Sequence, residues 1–103
     1  MQLRATLNRI KDVVRQVDPA ADVVLFGSRA RGDHAASSDW DLLLLPAEPI
    51  TPVLEQRLRA AVYEVELELE EVFSLFVYPK SSWTEGRSPS PLFENIRQEG
   101  ITA

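Results

Sequence analysis

Two short apolar runs decide what this chain can fold into. Asp22 to Phe26 (DVVLF) and Trp40 to Leu45 (WDLLLL) are five and six residues long, the length of buried strands and too short for core helices. The first stops at Gly27-Ser28, where the chain must turn, and Pro46 closes the second. Their flanks carry a different period. Leu3, Leu7, Ile10, Val13, Val14 and Val17 recur at helical spacing, so residues 3 to 17 read as an amphipathic helix that Asp18-Pro19 ends. Beyond the connection from Pro46 to Pro52, Thr51 offers an N-cap and Pro52 a first helical residue. Leu54, Leu58, Ala61, Val62, Val65 and Leu69 then form a second helical stripe.

Glu71 to Tyr78 (EVFSLFVY) reads as a third strand bounded by Pro79. The preceding VELELEE also alternates with period 2, which leaves the join between helix and strand open. Lys80 to Pro91 is rich in turn residues and reads as a loop. Ser90-Pro91 repeats the cap-and-proline signal and opens a short helix that Gly100 closes. The order predicts an α/β (α+β) fold, a small mixed sheet of three to four strands with helices packed on it. At 103 residues, one domain spanning the chain is expected.

Composition narrows the function. Eleven basic against sixteen acidic residues give a formal charge of −5, and the basic footprint of a nucleic-acid groove is missing. The chain has no cysteine, which excludes disulfides and thiolate metal sites. The opening MQLRATLNRIKDVV lacks a signal-peptide apolar core, and no run approaches the roughly 20 apolar residues of a membrane span. A cytoplasmic protein is expected.

The chemistry concentrates in LFGSRARGDHAASSDWDLLL, Leu25 to Leu44. Asp39 and Asp41 are two apart, so on a strand their carboxylates share a face, with Cα atoms roughly 6–7 Å apart. Two anions so placed repel unless a cation lies between them. Mg²⁺ suits an all-oxygen site completed by phosphate and water. Gly27 lets a phosphate approach the backbone, while Ser28 and the N–H groups after it would face an anion. A Walker A loop is ruled out, because Asp33-His34 follows Gly32 where Lys-Ser/Thr is required. The bland alternatives are an ordinary strand-to-helix turn and two solvated acids at a strand start. Trp40 points away from the acids and is assigned to the core, as packing residues are Tyr63 and Tyr78. His34, Arg29 and the face of Glu66, Glu68 and Glu70 are assigned to solvent.

Phe26-Gly27-Ser28, ten residues, then Asp39-Trp40-Asp41-Leu42 resembles the signature of the polymerase β-like nucleotidyltransferase superfamily. The fit includes Ser38 and Arg31-Gly32, and within the superfamily the chain looks like the small prokaryotic minimal members, as does its ending with Trp83 and PLFENIRQEGI. The resemblance implies that Asp39 and Asp41 hold two Mg²⁺ ions, and that Gly27, Ser28 and Arg31 hold the phosphates of a nucleoside triphosphate, ATP above all. It also implies a third carboxylate on the neighbouring strand, for which Glu71 is the choice and Glu70 the rival. Transfer of a nucleoside monophosphate to a HEPN-type helical partner, in a toxin–antitoxin pair, is the implied function. A docking module that silences its partner without catalysis, or an ATP sensor, would carry the same motif.

Overall fold

The structure is a computed structural model that describes residues 3–33, 35, 38–85 and 91–103. In chain order the elements are α1 (Leu3–Val17), β1 (Asp22–Phe26), α2 (Ser28–Arg31), β2 (Trp40–Leu45), α3 (Pro52–Leu69), β3 (Phe73–Val77), α4 (Lys80–Thr84), α5 (Pro91–Glu99) and β4 (Ile101–Thr102). The sheet has four strands in the order β3-β2-β1-β4. β1 pairs antiparallel with β2 and with β4, and β2 runs parallel to β3. The sheet is therefore mixed, as the sequence implies. A parallel pair needs a crossover connection, and α3 supplies it.

The two long helices form for local reasons. α1 turns one apolar stripe inward, burying Leu7, Ile10, Val13 and Val14. Thr51 caps α3, its hydroxyl accepting from the Leu54 N–H at 3.1 Å, with Pro52 in the first turn. Glu70 ends α3 in the left-handed conformation at φ 54°, where its N–H reaches the Glu66 carbonyl. Asp18 is buried after α1, and its carboxylate accepts from the N–H groups of Ala20, Ala47 and Glu48. It thereby ties the β2–α3 connection to the end of α1.

The sheet is covered on both faces, so its inner strands are apolar on both. α1 and α3 pack on Val23, Leu25, Trp40, Leu42, Leu44 and Phe73. α5 packs Phe93 and Ile96 on Val24, Phe26, Leu43 and Leu45, with Tyr78 and Trp83 at the margin. Full burial of Phe93 makes its loss costly, about 3–5 kcal/mol on truncation to alanine.

Four expectations are corrected. The loop expected from Lys80 contains α4, which brings Trp83 edge-on to Phe93 at 5.4 Å. β3 begins at Phe73, two residues after the expected start at Glu71. Tyr63 is 56% exposed, because it lies off the buried stripe of α3 and borders an open groove. Glu66 leaves the solvated face, for its carboxylate accepts from the Phe73 N–H at 2.9 Å and helps launch β3. The solvated assignment of His34 lies outside the described residues. Among the described residues no helix is long and apolar enough to cross a membrane.

Candidate functional site

The antiparallel register explains why a glycine after one strand and an aspartate in the next form a single site. Phe26, the last residue of β1, pairs with Asp41 near the start of β2. Gly27 therefore turns away beside the Asp41 carboxylate. Its backbone, φ 78° and ψ −159°, is open to glycine almost alone. A Cβ at residue 27 would collide with Asp41 Oδ2. The turn leads into α2, where the N–H groups of Ala30 and Arg31 close on the Gly27 carbonyl at 3.1 Å. Ser28 opens that turn, at the end of β1 that faces Asp41.

Asp39 is exposed and Asp41 half-buried. Asp41 alternates with Trp40 along β2 and shares a face with Leu43 and Leu45, the face that carries α5. Burial, and then the neighbouring charge of Asp39, push the Asp41 carboxyl above the ordinary aspartate range, while Arg31 pulls it back. A cation would relieve that strain, and an all-oxygen donor set suits a hard one. The two aspartates thus have the chemistry to hold a hard divalent cation.

The third position is where the structure departs from the expected cluster. Asp41 pairs with Ser74 across the parallel ladder, and the Ser74 hydroxyl donates to Asp39 Oδ2 at 3.3 Å. Glu71 lies before the strand and turns to the Trp40 side. Its carboxylate accepts from the Trp40 indole N–H at 3.2 Å and meets Arg29 at 3.7 Å. The physical reason is register: β3 starts two residues late, and Glu71 has the parity of Phe73, which pairs with Trp40. Glu70 is exposed at the α3 cap. Among the described residues no group of three His, Cys, Asp or Glu could hold a metal ion. Ser74 had a signal in the sequence, as the one polar residue inside an apolar run.

Arg31 stands at the rim, paired with Asp33 and Glu99, both at 3.2 Å. It is close enough to lower the Asp41 carboxyl. Arg29, assigned to solvent from the sequence, is 9% exposed. Its guanidinium donates twice to the Ser38 carbonyl, at 3.0 and 2.9 Å, and stacks 4.5 Å from the centre of the Trp40 ring. Nothing in its sequence position distinguished it from Arg31. An open groove of about 400 Å³, bordered by Arg59, Tyr63, Phe73 and Leu75, lies on the Trp40 side of β3, away from the aspartates.

The fold recurs in known proteins. In a chain of the crystal structure of a toxin–antitoxin with AMP-PNP, the same fold recurs at a TM-score of 0.66, with 20% identity over 93% of this chain and 70% of that one. Tri-AMPylated Shewanella oneidensis HEPN toxin in complex with MNT antitoxin gives a TM-score of 0.62, at 18% identity over 98% of this chain and 71% of the other. At such identities the likeness speaks for the fold. Among curated sequences, the probable protein adenylyltransferase MntA of Haemophilus influenzae is 34% identical over 58 residues, 56% of this chain and 51% of that protein. The chain spans about half the length of that relative. The profile of the nucleotidyltransferase domain covers residues 7–89, from α1 past α4 and through the whole Gly27–Asp41 site, and the chain belongs to that family.

Proposed function

We propose that residues 1–103 act as one nucleotidyltransferase domain that moves AMP from ATP onto a partner protein, with Mg²⁺ held by Asp39 and Asp41. The observation that carries this reading is the closure of Gly27 on Asp41, which sets the turn into α2 against a carboxylate pair. Bound Mg²⁺ would neutralise the triphosphate and lower the barrier to attack on the α-phosphate. The chain's own residues hold and aim the substrate. Gly27 lets the turn close on Asp41, and Ser28 supplies a hydroxyl and an N–H. Arg31, at the rim, exchanges Asp33 or Glu99 for a phosphate oxygen, to which its fork is well matched. The similarity to toxin–antitoxin structures, one of them an AMPylated HEPN toxin, favours a HEPN-type helical protein as the acceptor.

One observation favours a second reading, in which the chain silences its partner by docking. Ser74 stands where a third carboxylate would complete the centre and supply a base. Incubation with labelled ATP and Mg²⁺, with and without the product of the adjacent reading frame, separates the two. Label on the neighbour supports transfer. A tight complex without label supports docking and removes the catalytic reading.

A further inference from the structure

We propose that Arg29 is a positioning residue of the carboxylate site, acting on Asp39 through the backbone on either side of it. The inference rests on the reading of Asp39 and Asp41 as the metal-holding pair. Burying a guanidinium is costly unless its donors and its charge are matched. Here the matching groups come from both sides of Asp39. Two N–H donors of Arg29 converge on the carbonyl of Ser38, the residue before it. The guanidinium carbon lies over the ring of Trp40, the residue after it. Glu71 completes the cluster, its Oε2 lying 3.7 Å from Arg29 and accepting from the Trp40 indole N–H.

One side chain from α2 thus grips both neighbours of Asp39 and joins them to the segment that leads into β3. Asp39 needs such help. It precedes the first residue of β2 and its side chain is exposed. Among the described residues its one side-chain hydrogen bond, from the Ser74 hydroxyl, is long at 3.3 Å, so its direction depends largely on the backbone that carries it. Residues that orient a metal ligand commonly alter metal affinity or activity by about 10–100-fold when lost. Lysine cannot substitute, because a single ammonium lacks the planar fork that both donates in parallel and stacks.

The test uses Arg29→Lys and Arg29→Met, with Arg9→Lys as a control, since the Arg9–Glu68 pair is exposed and remote from the site in sequence and contacts. Circular dichroism and melting report folding. Mn²⁺ affinity, by electron paramagnetic resonance well below the melting temperature, reports the site. Metal-free hydrogen exchange reports the Trp40 amide, which donates to the Val72 carbonyl at 2.9 Å. The expected result is a folded Arg29→Lys chain with faster exchange at Trp40 and Mn²⁺ affinity lower by on the order of tenfold or more. A merely structural arginine would lower the melting temperature and leave Mn²⁺ affinity alone, and that result overturns the proposal. Should Arg29→Met fail to fold, Arg29→Lys decides. Mn²⁺ uptake by the wild type with unchanged affinity in Arg29→Lys defeats the positioning role alone. Absence of uptake by the wild type defeats the carboxylate-site reading and this inference with it.

Discussion

Gly27 and Asp41 occupy space that only one side chain can fill. The glycine's missing Cβ is replaced by the Asp41 carboxylate, whose Oδ2 would collide with any larger residue there. The backbone adds its own demand, because φ 78° with ψ −159° at residue 27 costs an L-residue about 1–3 kcal/mol.

Gly27→Ala should therefore damage stability and site together. The backbone cost alone lowers the melting temperature by at least about 4–8 °C for a chain of this size, and displacement of Asp41 adds to it. Calorimetry with Mg·ATP should show binding weakened beyond measurement. A variant that melts like the wild type and binds Mg·ATP normally would contradict the close approach.

Asp41→Asn tests the electrostatics. The Asp41 carboxyl is raised by burial and by Asp39, so the folded chain holds a proton that the unfolded chain has already released. Its contribution to stability is present below the unfolded value, about 3.9, and is lost as pH rises through the folded one. Asp41→Asn escapes that loss. Without metal, it should match the wild type in acid and melt higher at neutral pH, while Mg²⁺-dependent transfer disappears. Melting curves in EDTA across that range check the sign.

How much of this was readable in the chain depends on distance. The two aspartates, the turn and the strands that carry them lie within Asp22–Leu45, where period and spacing speak directly. Trp40 is buried opposite the acids as strand alternation requires. The third position depends on how β3 docks on β2, a long-range register that the alternating VELELEE blurs. Glu66 capping Phe73 and the left-handed Glu70 push the strand's start past Glu71. Arg29 was missed for a related reason, since its partners Ser38, Trp40 and Glu71 meet it only in the folded chain.

Glu70→Gly isolates that cap. Glutamate pays the left-handed penalty at φ 54°, and glycine removes it at some cost in unfolded-state entropy. The net gain should be about 0.5–1 kcal/mol, a melting temperature higher by a few degrees. Mg²⁺ affinity should not change. A fall in that affinity would restore Glu70 as a ligand.

Ser74→Asp and Glu71→Gln together decide where the third group of the site belongs. Ser74 pairs with Asp41 and touches Asp39, so an aspartate there joins two like charges. Without metal, that repulsion should destabilise the chain by up to about 1 kcal/mol. With Mg²⁺ or Mn²⁺ the sign reverses, and affinity should rise about tenfold or more as a third carboxylate closes the site. If the acceptor is in place, transfer should rise too, because a base then stands beside the metal pair. Glu71→Gln keeps the oxygen that accepts from the Trp40 indole and loses the charge facing Arg29. It should change metal affinity severalfold at most, through the Arg29 cluster. Loss of metal binding by orders of magnitude in Glu71→Gln, with no gain in Ser74→Asp, would put the third ligand back at residue 71. The strand would then have to shift by an odd number of residues when metal binds, carrying Ser74 to the Trp40 face.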